Sequence, residues 1–94
     1  MKKFLLTAIV ALSAATAGAS DYIEQKIYSD KNFEQNRAKA VKMLEQRGYQ
    51  VHDIDADSRR GQPVLDIEAF KDGREYDIVL SYTDLKIIKE RIDY

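Results

Sequence analysis

The chain contains no cysteine and only one histidine, His52. It can therefore form no disulfide, and a single histidine cannot build a zinc site. His52 has neither a nucleophile nor a metal ligand to work with, so it is either a pH-sensitive contact or simply a solvent-facing strand residue. We find no reactive constellation elsewhere in the sequence. We therefore predict that the protein is not an enzyme and holds no cofactor.

Long hydrophobic runs are also missing, except at the N-terminus. Residues 1–3 are short and basic, Phe4–Leu12 is apolar, and Ala17–Ala19 forms an A-x-A cleavage site. A membrane span needs about 20 apolar residues, and Ser13 interrupts this run, so a signal peptide is favoured over an anchor. Because no cysteine follows, a lipoprotein anchor is excluded. We predict a periplasmic or secreted protein with no membrane span after cleavage of residues 1–19.

The sequence has no basic stripe. Removing Lys2 and Lys3 from the 15 basic residues leaves 13 against 16 acidic ones, a formal net charge of −3. The one tight basic cluster is Arg59-Arg60, which we place at a polar loop tip. Nucleic-acid binding proteins normally carry a basic patch, so nucleic acid is not expected as a partner.

The remaining 75 or so residues are enough for one domain only. Domains of this size bury a thin core and often depend on disulfides or metals, which this composition does not provide. The stability must therefore come from the packing of helix on sheet, with self-association or a bound partner as additional sources.

One amphipathic helix is predicted over residues 32–47. Asp30 or Asn32 can cap the first free N–H groups, and Asn32 followed by Gln35 approximates a capping box. Gly48 suits the left-handed position that ends a helix. Its apolar stripe has helical spacing and includes Phe33, Arg37, Ala40, Val41 and Leu44. Residues 20–31 form an N-terminal arm for which both a helix and an edge strand remain open.

The strands are organised around a hairpin from Pro63 to Tyr82. Its turn is Asp72-Gly73, the strongest short-range hairpin signal. Before it, Tyr49–Asp57 is predicted as a first strand with a β-bulge near His52-Asp53, followed by a loop over Ser58–Gln62. After it, Leu85–Ile92 could form a short helix, but a meander favours a fourth strand.

The hairpin register sorts side chains onto two faces. The apolar face, which we call the helix-covered face, carries Leu65, Ile67, Ala69, Tyr76, Ile78 and Leu80. The other, which we call the acidic face, carries Asp66, Glu68, Phe70, Glu75 and Asp77, together with Val64 and Val79.

Glu68 lies directly opposite Asp77 in this register, an arrangement that destabilises a sheet unless something offsets it. One interpretation is pairing with Lys89 and Arg91 on the last strand, which requires Ile88 and Ile92 to point toward the helix. The other is a docking surface for a basic patch on a peptide or protein, formed by Asp66, Glu68, Phe70, Glu75 and Asp77. In this interpretation Val64, Phe70 and Val79 offer apolar contacts among the acids.

The order of these elements resembles the PepSY domain. The likeness rests on Gly48-Tyr49-Gln50-Val51 after the helix, on Pro63–Phe70, and on Lys71–Ile78 with its D-G turn, and it covers residues 32–93. The segment Ser81–Leu85 departs from the family pattern because it lacks the usual glycine. The resemblance implies an α+β, cystatin-like fold in which one helix packs on an antiparallel meander of three to four strands. It implies no catalytic residues.

PepSY domains are named from the propeptides of thermolysin-type metallopeptidases and are thought to bind or inhibit peptidases. We therefore expect residues 32–94 to be a PepSY-like binding module whose partner is a peptidase or an envelope sensor protein. The partner would dock on its sheet face or along an exposed strand edge. The alternative is a small-ligand or cation-binding protein, with Ca²⁺ the most suitable ion for carboxylate ligands alone.

Overall fold

The computed structural model describes residues 20–93. The predicted signal peptide lies outside the described residues. Among residues 20–93, no helix combines the length and the hydrophobicity needed to cross a membrane.

Four antiparallel strands form one sheet in the order of the chain. They are β1 (Gln50–Arg59), β2 (Gln62–Lys71), β3 (Arg74–Ser81) and β4 (Ile87–Ile92). The meander and its fourth strand are as predicted. The expected loop over 58–62 is wrong, because β1 continues through Arg59 and turns within Arg60 and Gly61, which both have positive φ.

The β2–β3 hairpin has the predicted register. Asp72 and Gly73 have φ values of 53° and 76°, as a type I′ turn requires, and glycine reaches the second value without a steric cost. Glu68 therefore pairs with Asp77 and Ile67 with Ile78. This turn sets which side chains of both strands share a face.

Both edge strands contain an irregularity. The register of β1 shifts between Val51 and Asp53, which confirms the predicted bulge at His52. A second shift places Val79 opposite Lys89 but Leu80 opposite Ile87, so Ile88 is an extra residue. The expectation that Ile88 points toward the helix is therefore wrong: Ile87 packs against the core, and Ile88 is 56% exposed.

The predicted helix is present as Phe33–Gln46, although α1, described below, precedes it and we label it α2. It ends in a Schellman motif: the Gly48 N–H donates to the Glu45 carbonyl at 2.9 Å and the Tyr49 N–H to the Leu44 carbonyl at 3.0 Å. The capping box predicted at Asn32 is wrong, because its side chain makes no capping bond. Asp30, the other predicted cap, accepts a hydrogen bond from the Asn32 N–H at 3.0 Å.

Residues 20–29 form a helix, α1, which resolves the open alternative for the N-terminal arm. Ile27 is only 2% exposed and belongs to the core. At the junction of the two helices, the Tyr82 hydroxyl donates to an Asp30 carboxylate oxygen at 2.6 Å and accepts from the Asn36 side-chain amide at 3.1 Å. These bonds connect the helical layer to the loop between β3 and β4.

The core lies between the helices and the helix-covered face. Leu44 of α2 is fully buried against it, and all six predicted residues of that face lie in or against the core. The Tyr49 hydroxyl donates a hydrogen bond to the carboxylate of Glu90 in β4. The rings of Tyr49 and Tyr76 pack edge-on, with their centroids 5.3 Å apart. The structure is an α+β fold in which two helices, rather than the single predicted helix, pack on one side of the sheet.

Candidate docking surface

The opposite side of the sheet gathers acidic side chains from three strands. Strand pairing places Asp53 beside Glu68 and Asp55 beside Asp66, so β1 extends the acidic face that the hairpin begins. Together the three strands contribute seven carboxylates to this side, namely Asp53, Asp55, Asp57, Asp66, Glu68, Glu75 and Asp77. This concentration of like charge is the main chemical feature of the described surface.

Three basic residues share this side. Arg91 lies opposite Asp77 and Lys89 lies opposite Val79 on β4, while Arg59 ends β1. With Asp66, Glu68 and other neighbours they line a shallow depression of about 110 Å³. The basic residues that the pairing interpretation needs are therefore present on this side. Their three positive charges offset fewer than half of the seven carboxylates.

Burial and neighbouring negative charges raise the pKa values of three of these acids. Burial raises the pKa of the Asp66 carboxyl, Arg59 lowers it in part, and neighbouring acids raise it further. Partial desolvation raises the pKa of Glu68 as well, and the charges of Glu75 and Asp53 add to the effect. Asp55 follows the same pattern, with burial first and Asp53 next. These carboxylates therefore repel one another in the charged state.

Two of the apolar residues assigned to this side are not available for contact. Val64 and Val79 are 1% and 0% exposed, so the expectation that they would offer apolar contacts among the acids is wrong. Val79 lies in the depression beside Arg59 and Lys89, whose long stems can shield it.

Phe70 is the exposed apolar side chain of the predicted set. It is 40% exposed, and its ring lies 5.5 Å from that of His52 in an edge-on arrangement. His52 reaches this position because it is the extra residue of the bulge, and it is exposed. The two rings form an apolar border next to Glu68.

All five predicted residues lie on one side of the sheet and are neighbours in the pairing. Phe70 lies opposite Glu75, and Glu68 lies opposite Asp77, with Asp66 two residues along β2. The sequence reasoning missed three further acids in β1, at positions 53, 55 and 57. Their signal was the alternation of D-I-D-A-D immediately after the bulge.

The geometry gives little support to the cation-binding alternative. Within residues 20–93, no group of three or more histidine, aspartate or glutamate side chains is placed to hold a metal ion. Carboxylates that project in parallel from a sheet lack the surrounding oxygen cage that Ca²⁺ prefers.

A second concave feature lies at the end of the sheet next to α1. This groove of about 440 Å³ is mostly apolar and is lined by Tyr22, Ile23, Ile27, Pro63 and Tyr82, among others. It separates α1 from the loops that join the strands.

Comparison with protein families gives one match. Residues 3–91 of the 94-residue chain match the family described as "Peptidase propeptide and YPEB domain". Neither the curated proteins nor the solved structures give a significant match.

Proposed function

The chain belongs to the PepSY_2 family of peptidase propeptide and YPEB domains, and from this premise we propose that it is an exported, non-enzymatic module that docks a protein partner through its acidic face. The family indicates a propeptide-like or inhibitor-like role. Docking to a peptidase or an envelope sensor protein is the finer part of the proposal.

One observation carries the proposal: Glu68 and Asp77 are directly opposed in the middle of a sheet side that holds seven carboxylates and three basic residues. Like charges in this position cost stability in the free protein. A basic patch on a partner would relieve that repulsion as well as adding its own attraction, so binding is favoured on both accounts. Complementary charge would also speed the encounter.

Phe70 supplies the apolar element that a specific contact needs. Interfaces concentrate their binding energy in a few aromatic or arginine side chains surrounded by polar groups. Phe70 is exposed at the border of the acids and is supported from one side by His52. The partner should therefore place an apolar or aromatic group against Phe70 and cations against Glu68 and Asp77.

The shape of this surface supports binding rather than catalysis. Catalytic carboxylates need a dry cleft that separates their pKa values, and small-molecule sites usually enclose about 300 Å³ or more. The depression among the acids is only about 110 Å³ and includes three basic residues. The N-terminal pattern of residues 1–19 supports export, which would bring the module to envelope or secreted peptidases.

Site-specific photocrosslinking tests the proposal. A photoreactive phenylalanine analogue at position 70 should capture a defined protein in the native envelope, because it replaces a ring with a ring within the proposed contact. The same analogue at Lys42, on the exposed side of α2, serves as the control and should not capture that protein.

The charge dependence of the crosslink identifies the surface. Glu68→Lys with Asp77→Lys should abolish the crosslink at position 70, whereas Glu34→Lys with Glu45→Lys, an equal charge change on α2, should leave it intact. A crosslink that survives the first pair would reject the acidic face as the docking site.

A further inference from the structure

The two edge strands of the sheet differ in whether side chains bond to their outward-facing backbone groups. Along β1, the backbone N–H of Ala56 donates to the Tyr28 hydroxyl at 3.0 Å, and that of Ser58 donates to an Asp57 carboxylate oxygen at 2.8 Å. Both N–H groups therefore point away from β2 and are satisfied by side chains. The β1 edge is blunted in the way that proteins protect exposed edge strands.

The β4 edge has no such cover in the part of the chain that the structure describes. Asp93 donates its N–H to the Glu75 carbonyl at 2.8 Å, and Arg91 pairs with Asp77. Because alternate residues of an antiparallel strand bond to the same neighbour, the N–H and C=O groups of Glu90 and Ile92 point outward. Within residues 20–93, no side chain bonds to these outward backbone groups.

The side chains flanking this edge have opposite characters on the two sides of the sheet. Lys89 and Arg91 lie on the side of the acidic face. Ile87 and Ile92 lie partly buried on the helix-covered side, where Glu90 lies between them and accepts a hydrogen bond from the Tyr49 hydroxyl. A strand added here would place alternate residues beside the two cations and beside the isoleucines. Acidic residues suit the first positions and apolar residues suit the second.

The inner neighbour of β4 already has this pattern. In β3, Glu75-Tyr76-Asp77-Ile78 alternates acidic and apolar residues, with Asp77 opposite Arg91 and Tyr76 opposite Ile92. We propose that the open edge of β4 binds, by strand addition, an extended segment of another polypeptide in which acidic and apolar residues alternate. Such a segment repeats on the outer side of β4 the pairing that β3 makes on its inner side.

A second copy of this chain fits the edge less well. Two β4 strands paired antiparallel around Glu90 would set Lys89 of each against Arg91 of the other, which is repulsive. The β1 strand of a second copy has the right alternation, but two of its outward N–H groups, those of Ala56 and Ser58, are already bonded to Tyr28 and Asp57. This contrast favours a separate polypeptide as the occupant.

A peptide with the sequence of residues 74–81, REYDIVLS, is the probe. Added to the isotopically labelled protein, it should shift the amide NMR signals of Glu90 and Ile92 and those of their β4 neighbours. Fluorescence anisotropy with a labelled peptide measures its affinity. A peptide with lysine at both acidic positions is the matched control and should bind at least about tenfold more weakly.

Backbone pairing and charge are tested separately. N-methylation of alternate peptide nitrogens, made in the two possible frames, should abolish binding in one frame, because only one set of N–H groups faces β4. Lys89→Glu with Arg91→Glu should weaken binding about tenfold, and the neutral pair Lys89→Gln with Arg91→Gln should weaken it less. Lys39→Glu with Lys42→Glu on α2 should have no effect.

Three outcomes would overturn the proposal. The first is that the peptide leaves the Glu90 and Ile92 amides unshifted, and the second is that the lysine-substituted peptide binds equally well. The third is a dimer, detected by sedimentation, that the peptide dissociates, since a second copy would then occupy the edge.

Discussion

Replacing Ile67 and Ile88 separately by alanine compares the two sides of the sheet with one residue type. Ile67 is 0% exposed and belongs to the core, whereas Ile88 is 56% exposed on the other side. Removing three carbons from a buried isoleucine forfeits about 2.4 kcal/mol of transfer free energy at about 0.8 kcal/mol per methylene. The cavity that remains raises the expected cost of Ile67→Ala to about 3–4 kcal/mol.

This loss is large for so small a domain. At about 0.05–0.15 kcal/mol per residue, a domain of about 75 residues has a free energy of unfolding of about 4–11 kcal/mol. Ile67→Ala should therefore lower the melting temperature by about 12–30 °C, at about 4–8 °C per kcal/mol. Ile88→Ala should change the free energy of unfolding by less than about 1 kcal/mol, because most of its side chain already contacts water.

Urea unfolding followed by circular dichroism gives both free energies under one set of conditions. The slope against denaturant should be equal for the parent and both variants, so that the midpoints can be compared directly. Equal losses for the two variants, or a larger loss for Ile88→Ala, would refute the assignment of the two sides and the bulge that sets it.

Three further predictions follow from named contacts. The melting temperature should rise as the pH is lowered from 7 toward 4.5 and 3.8, the ordinary pKa values of glutamate and aspartate carboxyls. The folded state raises the pKa of Asp66 and of Glu68, so each contributes stability below its ordinary pKa that is lost as the pH rises through its folded-state pKa. Asp66→Asn with Glu68→Gln should flatten this rise. Below about pH 3.8 stability should fall, because the Tyr82 hydroxyl lowers the pKa of Asp30, and the stabilisation is lost when Asp30 is protonated. Leu44→Asp should lower the free energy of unfolding by several kcal/mol and unfold most of the protein, because it buries an unpaired charge. The same urea titration measures this loss. A variant that unfolds like the parent would mean that α2 does not cover the sheet.

The central hairpin could be predicted in detail because its turn is defined by two residues. Asp72-Gly73 requires one backbone geometry, and strand pairing then follows residue by residue in both directions. The bulge at His52 was predictable for a similar reason, since Ile54 follows Val51 by three positions instead of two. Both inferences use backbone geometry that depends only on neighbouring residues.

Features that depend on distant contacts could not be predicted in the same way. The helical form of residues 20–29 depends on burying Ile27 against the sheet and on the bond from Ala56 to Tyr28, which the local pattern does not contain. The burial of Val79 depends on long side chains from β1 and β4.

The arrangement of residues on the acidic side of the sheet was predicted in part. The hairpin register brought its five residues together, but the three acids of β1 join them only once the bulge is carried through to strand pairing. The orientation of Ile88 was missed for the same physical reason, because one extra residue reverses the sides of those beyond it. The side of the sheet that a residue faces is therefore predicted most reliably next to a tight turn and least reliably beyond a bulge.

The most direct test of the docking surface is the affinity of the purified protein for the partner captured at position 70. Glu68→Lys with Asp77→Lys should weaken this affinity by at least about 30-fold, and added salt should weaken binding of the parent. Glu34→Lys with Glu45→Lys should leave the affinity unchanged. Equal affinity for the parent and the Glu68–Asp77 variant would contradict the proposal that the acidic face docks the partner.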